Sequence, residues 1–246
     1  KIFPRGVLLL AISLTGSFAK ADVKLPNIFT DSMVLQRNQA NAIWGNATPG
    51  ESIAVHIGDQ QKSTKADSAG NWKVMLEPMQ VGDPLELTVK GNNEIRIKDI
   101  LVGEVWICSG QSNMQWSVNA SNNVALEKAS ANYPNIRMIN FPQVGSQEPI
   151  WSHDDRKWMV CNPQTVGGFS AVGYFFARQL HQTLGVPIGM INNAWGGSAC
   201  EAWINRKTLA ADPQFKPLLE RWEANEKRFE ILTAKSDRSE DENKQL

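Results

Sequence analysis

Gly103-Glu104-Val105-Trp106-Ile107-Cys108-Ser109-Gly110-Gln111-Ser112-Asn113-Met114-Gln115-Trp116 is the stretch that decides the fold. Residues 105–107 are β-branched or aromatic and read as a buried strand. The sequence then breaks into small and polar residues. Open α/β sheets place their chemistry where a strand ends in such a turn. Ser112 sits in the turn. To act as a nucleophile it needs a base for its proton and N–H donors for the oxyanion it creates. Gly110 lets the backbone turn sharply, and the amides of Gln111 and Asn113 can donate to a substrate oxygen. This is not the Gly-x-Ser-x-Gly elbow of α/β-hydrolases, because Met114 stands where the second glycine belongs. The competing reading is plain: turn serines commonly satisfy nearby backbone and nothing more.

Downstream, strands alternate with helices. Residues 124–130 predict a short helix preceded by Asn and Ser caps. Residues 136–141 and 158–161 read as strands. Ser170 caps a helix whose Val172, Phe176 and Leu180 recur at helical spacing, and Gly185 with Pro187 ends it. Residues 188–195 begin apolar at nearly every position, as suits a parallel strand covered on both faces. Strand, helix, strand implies a parallel α/β sheet. That last strand runs into Trp195-Gly196-Gly197-Ser198, a second strand-to-loop exit. Glycine allows a backbone N–H to approach a substrate closely, though an ordinary Gly-rich turn reads the same way. After Leu209 the chain turns helical and charged. Phe215, Leu218, Leu219, Trp222, Phe229 and Leu232 form an apolar face, and residues 235–246 read as a solvated helix end or linker.

Upstream, residues 22–100 read as short strands separated by turn signals, at the spacing of a small β-sandwich. No aromatic platform is evident in it, so it is expected to be a structural accessory domain. His56, mid-strand, is expected to be structural. Residues 1–21 combine Lys1 and Arg5, an apolar run over 6–18 and Ala19-Lys20-Ala21, the pattern of a cleaved signal peptide. Export to the periplasm or outside the cell follows, with the mature chain starting near Asp22.

Lysine and arginine balance aspartate and glutamate at 25 each. Loss of Lys1, Arg5 and Lys20 would tip the mature chain to a small acidic excess, which argues against a nucleic-acid partner. Cys108, Cys161 and Cys200 are an odd set. The first two lie in apolar runs and read as buried thiols. No Cys/His spacing suggests a metal, and no stretch of the mature chain reads as a membrane span.

The block from Gly103 to Trp116 resembles the nucleophile block of the sialate O-acetylesterase family, a branch of the SGNH hydrolases. Residues 169–176 and 188–203 resemble the blocks that follow it. The resemblance implies an SGNH-type, flavodoxin-like parallel α/β/α domain over residues 101–246, incomplete at its carboxyl end. It implies a serine nucleophile, Ser112, and an acetyl-enzyme intermediate, with no cofactor. The oxyanion donors would be the N–H groups of Ser112 and of Gly197, or failing that Gly196. Gln111, Asn113, Trp116 and Trp195 would line the pocket for an O-acetylated sugar or sialoglycan. The Gly-Gln-Ser-Asn-Met core is shared with acetylxylan-type esterases, and a non-catalytic glycan-binding protein on the same scaffold is a further alternative. The family's base lies in an Asp-x-x-His motif, and none of His56, His153 and His181 has Asp three residues before it. The chain is therefore expected to be an amino-terminal piece and, alone, a poor or inactive esterase.

Overall fold

A computed structural model describes residues 22–146, 148–153 and 155–244. The signal-peptide expectation for 1–21 lies outside the described residues. Ten strands are present among them: β1 (Val34–Gln36), β2 (Asn41–Asn46), β3 (Ser52–Ile57), β4 (Gln60–Lys65), β5 (Asn71–Leu76), β6 (Leu85–Lys90), β7 (Glu94–Cys108), β8 (Tyr133–Asn140), β9 (Met159–Cys161) and β10 (Ile188–Asn192). The principal helices are α1 (Ser112–Gln115), α2 (Val124–Ser130), α3 (Ala171–Leu184), α4 (Arg206–Ala210), α5 (Lys216–Ala234) and α6 (Glu240–Asn243). The protein is mixed α/β, with one large sheet ordered β4-β3-β6-β7-β10-β8-β9 and β1 alongside β7. β2 and β5 form a separate antiparallel pair.

The organising element is β7, which is 15 residues long. Its first part alternates exposed and buried positions and pairs antiparallel with β6, as a strand with one covered face does. Its middle, Ile100 to Gly103, is buried, and Leu101 to Gly103 pair parallel with β1. Its last residues, Glu104 to Cys108, pair parallel with β10. The texture change at residue 100 therefore falls inside one continuous strand. The change of partner is made at a bulge. Between Leu85 and Leu87 of β6 the register slips, and Asp99 in β7 takes a left-handed φ of 56°. Its carboxylate is gripped by Arg137 of β8 at 2.5 and 3.1 Å and by the Ser32 hydroxyl at 2.8 Å.

The β2–β5 pair lies over β3, β6 and the start of β7. Ile43, Trp72, Val74 and Leu76 pack in one core with Ile53, Val55, Ile57, Leu87 and Val89. A second core holds Cys108, Ile136, Met138, Ile188 and Met190 from the strands, with Phe169 and Tyr174 from the α3 region.

Several expectations need correction. A flavodoxin-like order would put the nucleophile strand between its two successors. Here β10 lies between β7 and β8, parallel to both. The physical reason is in its composition: Ile188, Gly189 and Met190 are all buried, which suits the strand flanked on both edges and covered on both faces. The Asn-Ser caps of α2 fail, because Asn123 is left-handed (φ 53°) and its side chain makes no cap bond. β4 has no counterpart among the strands expected from the sequence, because Gln60 to Lys65 carries no apolar residue; it pairs through its backbone with β3. Residues 235–246 include the short α6, closed by a capping box of Ser239 and Glu242. The cap on α3 is as read: Ser170 Oγ accepts from the Gly173 N–H at 3.0 Å.

Candidate active site

The site is built where β7 and β10 end. Cys108 is buried, and Gly110 takes a φ of 125°, a conformation that side-chain-bearing residues rarely adopt. The chain turns there, and Ser112 becomes the first residue of α1. Ser112 is exposed, and among the described residues its hydroxyl makes no hydrogen bond. α1 is held from behind: the Ala171 N–H donates to the Trp116 carbonyl at 2.7 Å, and the Val118 N–H to the Phe169 carbonyl at 3.0 Å.

The second exit is pinned to the first by three hydrogen bonds. The Asn193 N–H donates to the Cys108 carbonyl at 3.2 Å and the Trp195 N–H to the Gly110 carbonyl at 2.8 Å. The Gly196 N–H donates to Gln115 Oε1 at 2.5 Å. Parallel pairing forces this meeting, because parallel strands end on the same sheet edge. A Cβ on Gly196 would overlap Gln115 Oε1 and stand 3.5 Å from the Ser112 Cα. Glycine there permits the close approach. Gly197 follows with a φ of 80° and open space around it, and its N–H has no partner among the described residues.

Ser112, Gln115, Trp116, Ser117 and Ala120 line a cavity of about 360 Å³. Trp116 is half exposed and steadied by its indole N–H, which donates to the Ala120 carbonyl at 2.8 Å. Trp195 is exposed on the facing loop. Gln111 and Asn113 are exposed beside Ser112, and their side chains make no hydrogen bond among the described residues. Gln115 was not singled out from the sequence. Only its place inside the serine block, one residue before Trp116, could have flagged it.

Neither the histidines nor the nearby acids join this site by any contact seen among the described residues. His56 is exposed on β3. His153 stacks edge-on against Phe141, with ring centroids 5.8 Å apart. His181 Nδ1 is 2.7 Å from the Val186 carbonyl. Glu104 is engaged by Arg37 Nε at 2.7 Å. Burial pushes the Cys108 thiol up to about 11 and the Cys161 thiol up to about 12, so neither is a thiolate at neutral pH. All three cysteines are free. Among the described residues no group of three or more His, Cys, Asp or Glu is arranged to hold a metal ion. No helix among them is long and apolar enough to cross a membrane.

A family model described as carbohydrate esterase, sialic acid-specific acetylesterase, matches residues 102–234, more than half of the chain. The mouse sialate O-acetylesterase is 32% identical over 226 residues, covering 84% of this chain and 42% of that protein. The human sialate O-acetylesterase is 34% identical over 227 residues, covering 84% of this chain and 43% of that protein. The chain thus spans less than half the length of these curated relatives. Among solved structures, a carbohydrate acetylesterase from Xanthomonas citri superposes with a TM-score of 0.74 at 39% identity, covering 76% of this chain and 43% of that one.

Proposed function

We propose, from the premise that this chain belongs to the carbohydrate esterase family of sialic acid-specific acetylesterases, that the whole protein removes O-acetyl groups from sialic acids with Ser112 as nucleophile. The observation that supports the reading is the pinned pair of strand exits, which brings Gly196 against Gln115 and Ser112 and leaves the Ser112 hydroxyl, on the cavity, and the N–H of the next residue, Gly197, without a partner among the described residues.

In this mechanism Ser112 Oγ attacks the acetyl carbonyl carbon and its proton passes to a base. The N–H groups of Ser112 and Gly197 hold the tetrahedral oxyanion. Each such donor is worth roughly 3 kcal/mol in the transition state. Collapse breaks the ester C–O bond, the sugar oxygen takes up the proton, and acetyl-serine remains. Water then attacks that ester, and acetate leaves. Gly197 is preferred to Gly196 as donor because the Gly196 N–H is already spent on Gln115. Gln111, Asn113, Trp116 and Trp195 would contact the sugar. We assign the general base to no residue of this chain, since none of His56, His153 and His181 has Asp three residues before it and none hydrogen-bonds Ser112 among the described residues.

The finer organisation belongs to the same proposal. Residues 22–100 form an accessory β unit of sandwich type. Residues 101–246 form an SGNH-type α/β unit, with the change inside β7 one residue past the Asp99 bulge. Residues 1–21 direct export, on the strength of their basic, apolar and small-residue order.

The test is a full-length version carrying Ser112→Ala, assayed for acetate release from O-acetylated sialic acid and from acetylated xylan. Turnover on the sialic acid should fall by several orders of magnitude, as it does when a triad nucleophile is lost. Turnover within tenfold of the parent removes Ser112 from the role. A parent that prefers xylan replaces the substrate. A parent unreactive to both esters and to a fluorophosphonate makes the protein a glycan binder instead.

A further inference from the structure

A second cleft lies on the amino-terminal strands. Its lining shares no residue with the Ser112 cavity. It measures about 630 Å³ and is walled by Trp44 and Trp151. These two lie far apart in the sequence and come together only in the fold. Trp44 points outward from β2, 39% exposed, and its ring is fixed by an edge-on contact with Phe29 at 4.5 Å. Trp151 is 41% exposed on the loop between β8 and β9. That loop is tied to the amino-terminal segment by buried Asn27. The Asn27 N–H donates to Ser152 Oγ at 3.1 Å, and its Oδ1 accepts from the His153 N–H at 2.9 Å. Its Nδ2 donates to the Arg156 carbonyl at 2.9 Å. Two exposed indoles are thus held in place rather than left to hydrophobic collapse.

The floor and rim carry polar groups of a definite kind. Gly45 and Trp72 form part of the floor. A Cβ at Gly45 would overlap the Lys24 carbonyl and crowd the buried Trp72 ring, so the close approach of these backbones requires glycine there. Trp72 is 3% exposed, and its indole N–H has no acceptor among the described residues. On the rim stand Lys65 and Lys73, neither paired with an acid among the described residues. Lys73 is directly opposite Trp44 in the β2–β5 register. Asp67 is the one carboxylate in the lining, and its Oδ1 is occupied by the N–H groups of Ala69 and Asn71 at 2.8 and 2.9 Å.

We propose that this cleft is a second saccharide-binding site, for a sugar ring that carries a carboxylate. Indole faces accept the C–H face of a pyranose, since that face is apolar and carries a slight positive charge. The ring hydroxyls are met by the Asp67 carboxylate and the Asn71 amide of the lining. Two unpaired ammonium groups against one partly occupied carboxylate favour an anionic ligand over a neutral one. The proposal goes beyond the esterase reading and does not depend on Ser112. It would let the protein hold a glycan chain while another residue of that chain is processed.

The experiment uses the full chain with Ser112→Ala, titrated with the α-methyl glycoside of N-acetylneuraminic acid, which has no ester to cleave. Methyl β-xyloside serves as the neutral comparison. Binding is followed by the ¹⁵N–¹H signals of the indole N–H groups, with the Trp151 signal assigned by Trp151→Ala. Saturable binding of the sialoside that moves the Trp151 signal is expected. Trp151→Ala and Lys73→Met should each weaken it by about tenfold, equivalent to about 1.4 kcal/mol. Trp222→Ala, exposed on α5 and outside both linings, should not. Trp44→Ala should act like Trp151→Ala. If it unfolds the protein through loss of the Phe29 contact, the exposed Trp151 and Lys73 variants still decide. Absence of saturable binding overturns the proposal, as does binding indifferent to Trp151→Ala and Lys73→Met. Equal affinity for the xyloside overturns its anionic part.

Discussion

Among single residues, Gln115 is the one whose role emerged from geometry. Its carboxamide oxygen takes the Gly196 N–H and so fixes where Gly197 points. Gln115→Leu keeps the volume and removes the acceptor. In a full-length version it should lower kcat by roughly a hundredfold while leaving KM within a few fold, because a misplaced donor harms the transition state more than the bound sugar. An equal change in kcat and in substrate affinity would instead mark Gln115 as a sugar contact. Gly196 is constrained from the same direction, since any side chain there displaces Gln115 before it touches substrate.

Among the elements, β7 carries the connection between the two textures of the chain, and its bulge is held by one ion pair. Hydrogen bonds from Arg137, with help from Ser32, keep the Asp99 carboxyl below its ordinary range against the opposing effect of burial. A carboxylate whose folded value is depressed stabilises the native state at pH above its unfolded value, about 3.9. That contribution fades as pH falls through the folded value. Asp99→Asn tests it cleanly, because asparagine tolerates the left-handed backbone as aspartate does. The buried Arg137 then loses its anion, and stability at pH 7 should drop by on the order of 1–3 kcal/mol. The urea midpoints of variant and parent should converge as the pH is lowered toward 3. A gap that stays constant across that range would show that shape, not charge, is what Asp99 contributes.

At the scale of the molecule, the chain leaves apolar surface beside its site strand. Trp106 and Ile107 of β7 are 44% and 66% exposed, and Phe176 of α3 stacks edge-on against Trp106 at 5.1 Å while remaining partly open. Beyond the β1 pairing at Gly103, no strand among the described residues lies along that edge of β7. An open strand edge with large apolar side chains is a template for association. The chain expressed alone should therefore self-associate as concentration rises in sedimentation velocity. Ile107→Lys should shift it toward the monomer with no loss of helix content. A parent that stays monomeric at every concentration would show this surface to be inert.

Much of this was legible in the sequence because it depends on near neighbours. Residues 105–107 extend because they are β-branched or aromatic, but Trp106 and Ile107 are exposed, not buried as the run implies, because no further element covers them among the described residues. Ser170 and Gly185 bound α3 because a cap and a left-handed stop act within one turn. The string around Ser112 carries the family resemblance, and Cys108 and Cys161 are buried, as their apolar runs imply. The strand order, the Asp99–Arg137 clasp, the Gln115–Gly196 bond and the meeting of Trp44 with Trp151 were not legible. Each joins residues tens of positions apart. The side chains involved are polar or singly placed and leave no periodic trace. β4 was missed for the same reason: all its stabilisation is backbone pairing to β3, which has no side-chain signature. Sequence alone thus determined the elements and the nucleophile candidate, since propensity, capping and turn chemistry are local. Only the tertiary structure decided which strand ends share an edge and what they hold between them, because register is set by pairing energies summed across the whole sheet.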